Sequence, residues 1–491
     1  MKRIATILIT LSIIMLTLTA YADNNEHSSG RFSYRLKGNG TAVITEYRGT
    51  GDTGDIYVPR QIDGYTVSEI GAHAFSYSDA SLDNPRGRAV TVVLPDTISV
   101  IGEKAFFCSL ITSITIPKSV KLIETGAFAG CCNLSFFSVE KGNEVYTTID
   151  GILYNKKTKE LVSFPRRSDA NLSSSKVTIP NGIKKIGDYA FYGIPIYNSS
   201  LLNFPDSVLS IGDYAFYEAG IVNKRWVSLN KIESIGNYAF ASINAKFVDF
   251  YMDSIVSIGN NAFEGAEMHS ALNQLYFPET LKIIGECAFK DVKIYNYESN
   301  RYAKFINGIK KIDLSKTKIE VVPKYAFYNF EAYESDTVVV SFPSTLKEIG
   351  SHAFSRDPKN AMNRGYIEIV LPNSVRVISE EAFSNSRLDL QFGNKSELKE
   401  IGNRAFFNTR LVVNDGRFIL PNGIEKIGDE VFLSTGISEL EIPSSTTSIG
   451  FNIVDRSNTK IIAEPGSAAD LYASENGYAY AEEDDTDWLN E

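Results

Sequence analysis

Apolar residues recur along this chain in a pattern that neither a long helix nor an isolated strand explains. In VTIPNGIKKIGDYAF, residues 177–191, Val177 and Ile179 alternate with Thr178, and Pro180 ends the run. Asn181-Gly182 then supplies a turn, and Ile183 and Ile186 return before Gly187 and the Ala190-Phe191 pair. The same Ile-Gly/Ala-Phe core stands at Ile70/Phe75, Ile101/Phe106, Ile123/Phe128, Ile211/Phe216, Ile235/Phe240, Ile258/Phe263 and Ile284/Phe289. It continues at Val322/Phe327, Ile349/Phe354, Ile378/Phe383, Ile401/Phe406 and Ile427/Phe432, and a frayed copy covers residues 449–454. Copies lie about 22 to 31 residues apart, except for longer gaps after Ile123 and Ile284. Self-similarity at this period marks a solenoid.

Each unit predicts one coil. Strict alternation points Val177 and Ile179 inward and Thr178 outward from a short strand, and Pro180 stops it for want of a ladder donor. Asn-Gly turns cheaply because positive φ costs little there. Ile183 and Ile186 face the interior from a second short extended segment. Gly187 is expected to permit a tight bend into Asp188–Phe191, one helical turn with Ala close to the strands and Phe filling the coil. A single coil cannot bury its own apolar face, so the core forms only by stacking.

The recurring I-P-x-[SGT]-[VIL]-x-x-I-G-x-x-A-F, with A-F-x-x-C-x-x-L at residues 127–134, resembles the BspA-like class of leucine-rich repeats. The resemblance runs from about Phe32 to Tyr480. It implies a strand-rich leucine-rich-repeat solenoid, a single elongated array with N- and C-terminal caps. It also implies a bacterial surface or secreted protein, some relatives being adhesins toward host matrix proteins or other bacteria.

Around the array, residues 1–22 read as a secretory signal peptide: Lys2 and Arg3, an apolar stretch Ile4–Leu18, and the A-x-A site Ala20-Tyr21-Ala22. Residues 23–67 form a linker and capping hairpin, with His27 in an unstructured lead. Repeats occupy 68–459. An enlarged coil at about 135–176 contains an Asp150-Gly151 turn between two strands. A strand, Pro-Gly turn and helix over Ala468–Glu475 make a closing segment at 460–480, before an acidic tail at 481–491. No further run is long enough for a membrane span once the signal is cleaved.

The formal net charge is −10, and loss of Lys2 and Arg3 takes it to −12. That balance argues against nucleic acid as a partner. Cys108, Cys131, Cys132 and Cys287 lack C-x-x-C spacing. Export permits disulfides, but Cys108 and Cys131 share a repeat position three residues before Ile111 and Leu134, which favours buried small residues. Four histidines, His27, His73, His269 and His352, fit no metal or catalytic motif, and no nucleophile elbow, P-loop or calcium loop is present. The reading is no enzyme and no cofactor or metal site.

What remains is surface, and binding in solenoids usually uses the outward strand positions. The central outward row contains Val93, Thr115, Thr178, Asn203, Ser228, Asp249, Tyr276, Asp313, Ser341, Val370, Gln391, Ile419 and Glu441, with no Lys or Arg. Two positions upstream lie Leu201, Trp226 and Phe247. With Asp249, Tyr251 and Tyr276 they form the candidate binding patch; the other reading is that loop residues cover these rings. Tyr189, Tyr214 and Tyr238 make a second row, expected to stack structurally. The function implied is non-catalytic binding of a protein or glycan ligand, on host matrix or another bacterial surface. A self-assembling envelope component and a carbohydrate-binding surface protein stand as alternatives. Phe240→Ala should lower unfolding free energy by about 3–5 kcal/mol; an unchanged denaturation midpoint would contradict the stacked core.

Overall fold

The computed structural model describes residues 25–49, 54–76, 90–166, 178–196, 204–221, 229–245, 252–269, 274–295, 310–330, 337–359 and 365–478. The chain divides into two compact units, residues 1–198 with 214–219, and residues 199–213 with 220–491. Each is built of stacked coils, and the fold is a leucine-rich-repeat solenoid.

The first unit begins with antiparallel strands His27–Ser29, Phe32–Leu36 and Thr41–Tyr47. His27 therefore lies in a strand, not in an unstructured lead, with its ring stacked on Tyr34 at 5.2 Å. Thr41–Tyr47 pairs in parallel with Tyr65–Ile70, and the Ile-Gly row continues through Val100–Ile101 to Leu122–Ile123. A second parallel row joins Ile56–Tyr57, Val90–Val93, Ile111–Ile116 and Phe136–Val139. Asp150 and Gly151, at φ 51° and 73°, turn Tyr146–Ile149 back onto Ile152–Asn155. Glu160–Ser163 follows antiparallel, then pairs in parallel with Lys185–Ile186.

The second unit repeats the plan. Its Ile-Gly strands pair in parallel from Ser210–Ile211 to Ile283–Ile284 and from Val321–Val322 to Ser448–Ile449. The opposite face pairs Gln274–Tyr276, Lys311–Asp313, Val338–Ser341, Ile367–Leu371 and Arg387–Phe392 in one sheet, and Arg417–Ile419, Glu439–Ile442 and Lys460–Ala463 in another. Helix Ala468–Glu475 is the one helix among the described residues; Ser467 Oγ accepts its Asp470 N–H at 3.2 Å.

The corner between Ile-Gly and Phe is not the helical turn the sequence suggests. At Asp188–Phe191 the chain makes hydrogen-bonded turns, with Tyr189 left-handed at φ 59°. The same slot is left-handed at His73, Lys104, Tyr214, Tyr238, Asn261, Cys287, Tyr325, His352, Glu381, Arg404, Glu430 and Asn452. None of these is β-branched, as the sterics of that region demand. The reason for the turn is donor placement. Ala105, Phe107 and Ser109 N–H groups close turns within their coil, while Lys104, Phe106 and Cys108 donate to Thr125, Ala127 and Ala129 carbonyls of the next. A helix would consume both sets internally and leave nothing to join the coils.

The Ile-Gly glycine also serves a different end. Its φ is not positive at Gly71, Gly102, Gly187, Gly236, Gly259, Gly285, Gly350, Gly402, Gly428 or Gly450; instead a Cβ at Gly285 would lie 2.4 Å from the Asn260 backbone nitrogen. Beside it, side-chain carbonyls carry the ladder onward: Asp213 accepts from Asn237 N–H at 2.7 Å, Asn237 from Asn260 at 2.8 Å, and Asn260 from Glu286 at 2.9 Å.

Inside, phenylalanine rings stack. In the second unit the column runs from Phe240 through Phe263, Phe289, Phe327, Phe354, Phe383 and Phe406 to Phe432, with centroids 5.1–5.7 Å apart. Each ring is essentially buried, contributing about 1.5–3 kcal/mol. Gly285→Ala should destabilise the chain by about 1–3 kcal/mol through overpacking against backbone. A chemical-denaturation midpoint equal to that of the parent would show that the coils can separate to admit a methyl group.

Candidate binding surface

The strand faces set which side chains meet solvent. In the second unit Leu275, Ile312, Val340, Ile369 and Leu390 pair across successive coils and are all buried. Their successors Tyr276, Asp313 and Ser341 align outward, as do Val370 with Gln391 and Ile419 with Glu441. In the first unit Tyr57, Val93 and Thr115 align in the same way over buried Val92 and Ile114. Tyr276 is 45% exposed and Val370 and Ile419 are 54% exposed. The outward parity read from the alternation thus holds at the described positions.

Of the six candidate patch residues, Leu201, Trp226, Phe247, Asp249 and Tyr251 lie outside the described residues. Tyr276 ends strand Gln274–Tyr276, and the Lys316 ammonium stands 5.7 Å from its ring centroid.

Basic residues do occur two positions upstream, and the outward row neutralises them. Lys311 Nζ lies 2.9 Å from Asp313, and Arg417 Nη2 lies 2.6 Å from Glu441. Burial alone would raise the Asp313 carboxyl; the Ser315 hydroxyl and the Lys311 ammonium outweigh it and hold it below the usual range. Among the described residues, these paired charges give a mixed polar and apolar strand face with no basic stripe of the kind that tracks phosphates.

Corner side chains stack from coil to coil. Tyr189 stacks on Tyr214 at 4.8 Å, and Tyr325 on His352 at 4.4 Å. Burial lowers the His352 pKa against the opposing pull of Glu381. No group of three or more His, Cys, Asp or Glu able to hold a metal ion occurs among the described residues. No described helix is long and apolar enough to cross a membrane. All four cysteines are free. Cys131 is buried, with Sγ 2.9 Å from the Phe106 carbonyl. Cys108 does not share its position: it occupies a left-handed corner at φ 54°, and the coil-to-coil equivalent of Cys131 is Ser109, whose Oγ is 3.5 Å from Cys131 Sγ. Counting back from Ile111 and Leu134 misaligns the two coils because one has an extra residue between the Phe and the next strand.

A family model described as BspA type leucine rich repeat region, in six copies, matches residues 62–166, 163–296, 268–363, 296–414 and 359–474. Among curated proteins none matches this sequence. Similar solved structures include the following three. A leucine rich cell surface protein from Faecalibacterium prausnitzii A2-165 is 19% identical with a TM-score of 0.38, covering 92% of this chain and 98% of that one. A leucine-rich repeat protein from Bacteroides ovatus ATCC 8483 is 20% identical with a TM-score of 0.35, covering 86% and 99%. The pneumococcal vaccine antigen PcpA is 14% identical with a TM-score of 0.31, covering 87% and 98%.

The cysteine environments separate in reactivity. Cys132 is exposed, whereas burial pushes the Cys131 thiol up to about 12 despite the Ser109 hydrogen bond. Iodoacetamide at neutral pH, read by peptide mass, should alkylate Cys132 in the folded chain and Cys131 only after denaturation. Equal labelling of both would contradict the burial.

Proposed function

Since the chain belongs to the BspA-type leucine-rich repeat family, we propose that it is an exported, non-catalytic binding protein whose strand faces contact another macromolecule. The observation that carries this reading is the outward row. Successive coils align Tyr276 with Asp313 and Ser341, Val370 with Gln391, and Ile419 with Glu441, so one surface combines apolar and acceptor groups over several coils. Such a surface suits protein or glycan contact, where apolar anchors and paired polar groups act together. Leucine-rich repeats generally serve as binding scaffolds, which supports a role without catalysis. Residues 1–22 would direct export, placing the protein at the cell surface or outside the cell, and the ligand would lie on host matrix or another bacterial surface.

Within that face, the patch of Leu201, Trp226, Phe247, Asp249, Tyr251 and Tyr276 is the proposed contact. Capture of partners from host matrix and bacterial surface extracts by the purified chain tests the reading, with the double variant Trp226→Ala/Phe247→Ala as control. The variant should lose the captured partner at least tenfold while keeping its denaturation midpoint. Full retention by the variant would remove the patch, and self-association of the chain without any captured partner would favour an assembly role.

A further inference from the structure

One coil in the first unit is short, and the shortage opens a cleft. Gly187 N–H donates to Leu161 O, as Gly102 N–H donates to Ile70 O, so Leu161 takes the place of the repeat isoleucine. Phe164 N–H donates to Ala190 O and its ring stacks on Phe191 at 4.8 Å, so Phe164 takes the place of the repeat phenylalanine. Only Val162 and Ser163 stand between them, where the next coil has Gly187, Asp188, Tyr189 and Ala190. The left-handed corner is missing.

The preceding coil retains its corner but loses its acceptors. In the coil before that, Lys104, Phe106 and Cys108 N–H groups donate onward; the equivalents Gly126, Phe128 and Gly130 donate to no acceptor among the described residues. Ile123 N–H, at the edge of the same gap, finds the Tyr146 hydroxyl at 2.8 Å. Gly126 to Ala129, Glu160, Val162, Ser163, Lys185, Asp188 and Tyr189 line a cleft of about 230 Å³. Glu160 and Asp188 in its wall share one ammonium, Lys185, at 3.3 Å and 3.1 Å, while Glu124 Oε2 accepts from Glu103 N–H of the preceding coil at 2.9 Å.

We propose that this cleft binds a short extended peptide segment of a partner protein, its carbonyls accepting from Gly126 and Phe128 and a Lys or Arg side chain meeting the carboxylates of Glu160 and Asp188. Donors on alternate residues call for carbonyls on alternate residues, and an extended segment presents these along one edge. The excess of carboxylate over ammonium disfavours an anionic ligand and favours a cationic side chain. A buried donor left without a partner is costly, so an occupant that supplies carbonyls recovers interactions every regular coil already makes. Its residues are not those of the proposed patch, so the test of one leaves the other open.

Hydrogen exchange read at single amides of the full chain tests it. Without ligand, Gly126, Phe128 and Gly130 should exchange at least tenfold faster than Lys104, Phe106 and Cys108. Millimolar acetyl-Gly-Lys-Gly-amide should slow the Gly126 and Phe128 amides saturably, and acetyl-Gly-Glu-Gly-amide should not. The double variant Glu160→Gln/Asp188→Asn should weaken the lysyl peptide about tenfold, with its denaturation midpoint measured alongside. No protection by the lysyl peptide, equal protection by the glutamyl peptide, or equal protection by N-acetylglucosamine would overturn the proposal. The wild-type comparison decides the matter even where the variant is destabilised.

Discussion

Neighbouring coils approach so closely at the Ile-Gly step that a methyl group there would lie about 2.4–2.8 Å from the backbone of the preceding coil. That approach governs the rest. It brings the corner N–H groups within reach of the next coil's carbonyls, allowing inter-coil bonds of 2.7–3.1 Å. It also sets the ring spacing of the phenylalanine column. Rings stacked face to face with an offset favour centroids about 4.5–7 Å apart, and the observed 5.1–5.7 Å of the second unit falls in that window. Hydrogen bonding and burial therefore reinforce one geometry.

The cost of that geometry is paid in backbone conformation. A left-handed residue other than glycine costs roughly 1–2 kcal/mol, and the corner slot imposes one in coil after coil. Stacked side chains on those same residues offset part of the strain, as with Tyr189 on Tyr214 and His352 on Tyr325. Asp213, Asn237 and Asn260 add a side-chain ladder beside the backbone one. Where the regular partner is missing, a tyrosine hydroxyl replaces it: Tyr146 accepts from Ile123, and Tyr472 of the terminal helix accepts from Ile453 at 3.4 Å.

With backbone and core committed to stacking, recognition falls to side chains that stacking does not use. These are the outward strand positions and the places where a coil departs from the pattern. The outward row keeps its acids against neighbouring bases at Asp313/Lys311 and Glu441/Arg417, leaving a face suited to mixed contacts rather than to polyanions. The shortened coil at Leu161–Phe164 is the second kind of feature, an interruption that leaves ladder donors without their usual acceptors.

The sequence by itself determined the repeat, the inward set and the outward row. Alternation in a strand and the recurrence of Ile, Ala and Phe are local properties, and burial of Leu275, Ile312 and Val340 follows from them. The corner could have been read too: in the Ile-Gly/Ala-Phe copies, tyrosine, histidine, asparagine, cysteine, glycine and charged residues fill the slot two before Phe, and Val, Ile and Thr do not. Tertiary structure alone decided the rest. Whether the corner is a helix or a set of turns depends on acceptors one coil away, roughly 20–30 residues along the chain. The role of the glycine depends on the backbone it touches rather than on its own φ. The different positions of Cys108 and Cys131 and the cleft beside Gly126 both arise because one coil differs in length from its neighbour. Such a mismatch has consequences only when the two coils are laid against each other.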